Sequence, residues 1–158
     1  MHFWARISAE IEDAQANEKA IIFQMDGNLW GGPELIKNDP NKQNNNGFLF
    51  KQFLSKFPFL TVINNLDLCE GSITRKRVTV KGIEVSILDF FVVCDKLKPF
   101  IEKMIIDEDK KYVLSNYSKV KGKPMKIDSD HHTLIMYANI HYYLKKPDRV
   151  EFYNFKNA

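Results

Sequence analysis

The stretch Ser86-Ile87-Leu88-Asp89-Phe90-Phe91-Val92-Val93 decides how the chain is read. Its near-continuous apolar run implies a strand buried on both faces. Asp89 sits in the middle of it. A carboxylate there is costly unless it is paired or at work. Working outward, two other polar groupings adjoin apolar runs: Asp26 and Asn28 after Ile21-Ile22-Phe23, and Ser129-Asp130-His131 before Thr133 to Tyr143. Together they suggest a polar site at one edge of a sheet.

The 158 residues fit one domain with a real core. Hydrophobic content of 44% and charged content of 27% are ordinary for a globular protein. The net charge of +3 is unevenly spread: residues 71–126 carry 13 Lys and Arg against 7 Asp and Glu, a local +6 that leaves −3 elsewhere. A basic segment near acidic site residues suits a phosphate-bearing partner, although a solvated surface explains it equally. Cys69 and Cys94 lack metal-type spacing and read as reduced core thiols, with a disulfide as the alternative. No run of about 18 apolar residues marks a membrane span. The start, Met1-His2-Phe3-Trp4-Ala5-Arg6, does not read as a signal peptide, so an intracellular place (nucleus or cytoplasm) is expected.

Phe3, Ile7, Ile11 and Ala14 recur at helical spacing and predict a helix ending near Asn17. Lys19 to Asp26 reads as a strand. In extended geometry Asp26 and Asn28 share a face, with Gly27 permitting close backbone approach. Residues 39–47 form a polar loop, and Phe48 to Phe57 a second helix stopped by Pro58. Leu60 to Asn64 and Ser72 to Val80 are strands, the latter edge-like because of Arg75-Lys76-Arg77, with a hairpin turn at Lys81-Gly82. After the Asp89 strand come a short helical turn near Pro99 and a strand through Met104 to Ile106. Residues 107–124 read as a basic loop with an edge strand at Tyr112 to Leu114, followed by a strand over Thr133 to Tyr143. The domain spans 1–144 and a weakly structured tail 145–158. The class is α+β with a mixed or antiparallel sheet.

Each motif alone has a structural explanation. Asp26 and Asn28 can cap a turn. Asp89 can pair with an Arg or Lys, and His131 can be a satisfied histidine at a strand start. Trp30, Tyr112 and Tyr117 are explained by packing as well as by base stacking.

Taken in order, Asp-x-Asn after a strand, an apolar-Asp-aromatic strand and Ser-Asp-His before a last strand resemble the endonuclease/exonuclease/phosphatase superfamily. That family includes exonuclease III, deoxyribonuclease I and the endonuclease domains of non-LTR retrotransposons. The resemblance is to its C-terminal half and runs from about Phe3 to Ile140. It takes in Asn46-Gly47, Leu60-Thr61-Val62-Ile63-Asn64 and Thr74. Asp67-Leu68-Cys69-Glu70-Gly71 and the Asp89 strand look most like endonuclease regions of animal retroelements.

The resemblance implies a Mg²⁺- or Mn²⁺-dependent DNA endonuclease and half of a two-layer sandwich flanked by helices. Asp26 would orient or deprotonate the attacking water, and Asn28 would bond the water or a phosphate oxygen. His131, oriented by Asp89, would contact the scissile phosphate. Asp130 would lie at or just outside the metal shell. Apart from the resemblance, the basic run Arg75-Lys76-Arg77 with Lys81 favours a polyanionic strand and makes Arg75 and Lys76 candidate substrate contacts. Mg²⁺ prefers carboxylates and water, and the candidate site holds no thiolate.

Two departures stand out. Met25 replaces the glycine that the family places before its first aspartate. The family's N-terminal half, with its metal-binding glutamate, has no counterpart among these residues. The chain alone is therefore expected to bind Mg²⁺ poorly and cleave DNA slowly or not at all. The inner face of the Asp89 strand is expected to be a bare apolar patch favouring self-association or a separate first half. The alternatives are a phosphatase acting on a small molecule or inositol-type headgroup, and a non-catalytic remnant.

Overall fold

A computed structural model describes residues 3–112, 116–120, 123–127 and 129–141. Its elements are α1 (Phe3–Ala16), β1 (Ile22–Asp26), α2 (Asn45–Lys56), β2 (Leu60–Val62), β3 (Cys69–Glu70), β4 (Arg75–Thr79), β5 (Gly82–Ser86), β6 (Asp89–Cys94), β7 (Ile101–Ile106), β8 (Asn116–Val120), β9 (Lys123–Ile127) and β10 (Leu134–Ala138). Short 3-10 turns occupy Ile63–Asn65 and Lys98–Phe100. One three-stranded sheet has the order β1-β6-β2, all antiparallel; a second has the order β10-β7-β3, with β3 parallel to β7. The hairpins β4-β5 and β8-β9 complete an α+β fold of mixed and antiparallel pairing.

The central strand is β6, as its sequence requires. Phe90, Val92, Val93 and Cys94 are buried, and Phe91 is half-buried. Phe90 and Val92 share a face with their partners Met25 and Phe23 on β1. The two helices cover that face with rings: Trp4 stacks on Phe50 at 5.6 Å, Phe50 meets Phe90 at 5.8 Å, and Phe23 meets Phe53 edge-on at 6.2 Å. The core continues to Met104 and Ile106 of β7. The bare patch expected on the Asp89 strand is absent from β6: on its other face Val93 is fully buried, and the exposed apolar residue there is Ile22 of the edge strand β1.

Several boundaries differ from the sequence-based expectation for local reasons. The run Ser86 to Val93 is two strands, not one. The N–H groups of Leu88 and Asp89 donate to the buried Thr74 Oγ1 at 2.7 and 3.1 Å rather than to a ladder. Helix α2 begins at Asn45, ahead of the expected Phe48, because the Asn44 side chain caps it by accepting the Gly47 N–H at 2.8 Å. The β4-β5 turn is Val80-Lys81, with Gly82 opening β5 at φ +128°. The basic loop predicted over 107–124 contains strands instead, because β8 finds a partner in β9. Of the edge strand expected over 112–114, Tyr112 lies in a turn and the rest falls outside the described residues. The final strand is shorter than expected, ending at Ala138, and the tail 145–158 lies outside the described residues.

Gly47 shows how tightly α2 meets the loop after β1. A Cβ there would overlap the Trp30 carbonyl, lying 2.8 Å from its carbon. Alanine is the better helix former by about 1 kcal/mol, yet Gly47→Ala is expected to destabilise the fold by about 1–3 kcal/mol through overpacking. A urea titration measures the sign directly.

Candidate functional site

Antiparallel pairing puts Asp26, the last residue of β1, directly opposite Asp89, the first residue of β6. Asp89 is buried and Asp26 is exposed. Like charges facing one another across a strand pair repel, so the pairing needs a cation. His131, when protonated, supplies one. Its Nδ1 lies 2.9 Å from Asp89 Oδ2. One ligand atom from each of Asp26, Asp89 and His131 falls within 4.8 Å of the others.

The turn carrying His131 is fixed by its own residues and by β4. His131 N–H donates to Ser129 Oγ at 3.1 Å. Lys76 N–H donates to the Asp130 carbonyl at 2.8 Å and His132 N–H to the Thr74 carbonyl at 2.6 Å, so residues 130–132 run beside β4 as an antiparallel bridge. Thr74 thus ties both halves of the site together: its carbonyl holds the His131 turn and its hydroxyl holds the start of β6. On the other side of β6, Asn64 donates to the Asp89 carbonyl at 3.1 Å and accepts the Phe91 N–H at 3.2 Å, continuing the pairing where β2 ends. Neither Asn64 nor Thr74 has a positioning role that sequence alone assigns. Their place beside apolar runs and their inclusion in the family resemblance are the signals that the sequence offers.

His131 is held above its ordinary pKa of 6.5. Its hydrogen bond to Asp89 is the main cause; burial opposes it, and the charges of Asp89, Asp26 and Asp130 add to it. With Nδ1 donating to Asp89, the protonated ring presents Nε2–H as a second donor.

The remaining expected residues are arranged differently. Asp130 stands outside the three-residue cluster, because its carboxylate accepts from Arg75 Nε at 2.8 Å. Burial pushes its pKa up, but the Arg75 hydrogen bond and charge outweigh that and hold the carboxyl below the usual range. Arg75 is therefore neutralising Asp130, while Lys76 and Arg77 are exposed along β4. Asn28 does not continue the strand: its φ is +39°, and its N–H lies 3.4 Å from Asp26 Oδ1 in a turn. Asparagine tolerates that left-handed conformation better than most residues. Its carbonyl is approached by Asn44 Nδ2 at 3.5 Å, across a sequence gap that no motif spans.

For a divalent cation the donor chemistry fits in kind and falls short in number. Asp26 and Asp89 are oxygen donors of the type Mg²⁺ and Mn²⁺ take, and water would have to complete most of a six-ligand shell. A separate small hollow lined by Lys37, Asn64, Asp67 and Cys69 contains none of the three clustered side chains. No helix of the described residues is long and apolar enough to cross a membrane. No family model matches the chain, and neither curated proteins nor solved structures give a match.

The raised His131 pKa adds stability that is fully present below about pH 6.5 and is lost as pH rises through the folded-state value. An NMR titration should find His131 above 6.5, and Asp89→Asn should lower it. A His131 that titrates at its ordinary value and ignores Asp89→Asn would mean the pair does not form. Separately, Thr74→Val leaves two buried N–H groups without an acceptor and should cost about 2–3 kcal/mol in urea unfolding.

Proposed function

We propose that this chain carries the acid–histidine site of a metal-dependent phosphodiester hydrolase, a DNA endonuclease module of the endonuclease/exonuclease/phosphatase type found in retroelements. The observation that carries the reading is the convergence of Asp26, Asp89 and His131 from two strands and a distant turn. A structural ion pair would account for Asp89 and His131 alone; the exposed Asp26 beside them is what supports the chemical reading.

In this reading the exposed Asp26 aligns the attacking water and takes its proton. His131, its protonated form favoured by Asp89, directs Nε2–H at a phosphate oxygen as negative charge grows on it. Asp89 holds the ring in that orientation. Asn28, at the turn after Asp26, offers a hydrogen bond to the water or to a phosphate oxygen. Mg²⁺ or Mn²⁺, when bound, adds Lewis-acid stabilisation to the phosphate. The resemblance assigns its principal ligand to a glutamate that these residues do not provide, so the chain alone is a weak metal binder and a slow catalyst. That half, or a second copy, is the protein partner the reading implies.

The β4-β5 hairpin rises from the same rim. Lys76, Arg77 and Lys81 are exposed on it, and so are Val78, Val80 and Ile83. Basic side chains neutralise phosphates, and apolar tips can enter a nucleic-acid groove. An intracellular site of action, nucleus or cytoplasm, goes with such a substrate.

Two measurements test the proposal. Duplex DNA binding should weaken steeply with salt, and Lys76→Ala with Arg77→Ala should flatten that slope by about 1 for each phosphate no longer neutralised. With protein in excess and Mn²⁺ present, supercoiled plasmid should be nicked slowly, and Asp26→Asn or His131→Ala should abolish it. Fast turnover at catalytic protein concentration would sink the claim of an incomplete site. Salt-insensitive binding with no nicking, or hydrolysis of inositol phosphates in its place, would sink the endonuclease reading.

A further inference from the structure

The loop after β1 carries an exposed tryptophan on a tightly held backbone. Leu29 is fully buried and Trp30 is 42% exposed. Trp30 N–H donates to Asn44 Oδ1 at 3.1 Å, and its carbonyl accepts the Asn44 N–H at 3.1 Å. The same Asn44 side chain accepts the Gly47 N–H at 2.8 Å and approaches the Asn28 carbonyl at 3.5 Å. One residue therefore fixes the first turn of α2, Trp30 and the Asp26–Asn28 turn to each other. Gly47 lets the helix press against the Trp30 carbonyl, and the next residue, Phe48, is 49% exposed.

Exposed aromatics on rigid backbone beside a phosphate-handling turn are costly as surface and suited to stacking. Phe50 and Phe53 supply the inward face of α2, so Phe48 lies off it. Trp30 follows Asp26 by four residues, so their Cα atoms lie within about 14 Å of each other. The Asn44 clamp shortens that reach. A ring there meets the base of a nucleotide near the phosphate held at Asp26 and His131. Stacking on a side chain needs a base released from its neighbours.

We propose that Trp30 stacks on an unpaired base next to the scissile phosphate, so that the site takes single-stranded or locally unpaired nucleic acid in preference to intact duplex. This rests on the hydrolase reading for the place of the phosphate, and it extends that reading to the form of the substrate.

The test uses the full chain carrying Asp26→Asn, without metal, so that binding is read apart from cleavage. The chain has two tryptophans, and Trp4 is packed against Phe50 and Phe53. Quenching of intrinsic fluorescence by an oligothymidylate therefore reports Trp30. The oligothymidylate is expected to quench more than a duplex of equal length. Trp30→Leu should remove the quench and weaken single-strand binding by about 5- to 100-fold, while Trp30→Tyr retains most of the affinity. Unchanged affinity in Trp30→Leu, or a duplex that binds and quenches as well as the single strand, overturns the proposal. The two readings fail separately. Trp30-dependent binding without Asp26-dependent nicking by the parent chain keeps the stacking and removes the hydrolase; nicking that is indifferent to Trp30→Leu does the reverse.

Discussion

Two carboxylates held in register on adjacent strands set the terms for the rest of the molecule. Asp26 and Asp89 are a Cα pair in an antiparallel ladder, and Asp89 lies against an apolar core. Such an arrangement persists only if another part of the fold delivers positive charge to it. His131 does so from 42 residues away, with Nδ1 at 2.9 Å from Asp89. The route is β4. Its backbone grips residues 130–132, and Thr74, just before it, holds the N–H groups that open β6. A hairpin that looks peripheral is therefore the brace between an acid on the central strand and a histidine near the end of the chain.

The same strand serves core and site. Phe90 and Val92 of β6 face the rings of α2, while Asp89, one residue earlier, faces the polar rim. Strand alternation alone accomplishes this division. Packing that fixes β6 also fixes the carboxylate, so the rings of Phe50, Phe53 and Phe90 add to the rigidity that the polar contacts of Thr74 give the site. Asn44 carries the rigidity onward. It caps α2 and holds Trp30 at the far side of the Asp26–Asn28 turn.

Sequence was most informative where a single pattern dictated the outcome. The apolar run around Asp89 announced the buried central strand, the spacing of Phe3, Ile7 and Ile11 announced α1, and Arg75-Lys76-Arg77 announced an exposed hairpin. It was least informative where side chains replaced backbone. Nothing in Ile87-Leu88 signals a break, because Thr74 makes the break from 14 residues away. The strand ending at Asp26, with Asn28 turned to a positive φ, depends on an Asx turn that extended periodicity hides. Motif position points Asp130 to the metal, and a basic run points Arg75 to the substrate. In the folded chain their opposite charges find each other first, at 2.8 Å. The Asn-rich run before α2 read as loop because its one decisive residue, Asn44, is chemically indistinguishable from its neighbours.

The ion pair between Asp130 and Arg75 bears on how charge is divided at the rim. Were Asp130 free, three carboxylates would surround one imidazole, and the site would attract cations with little discrimination. With Asp130 neutralised, Asp26 and Asp89 are left facing His131, and proton and metal become rivals for the same negative charge. A protonated Nδ1 donates to Asp89 and cannot coordinate a metal. The ring's raised pKa therefore favours the proton, which keeps Nδ1 with Asp89 rather than with a metal. The Asp130–Arg75 pair and the Asp89–His131 pair are two expressions of one charge balance.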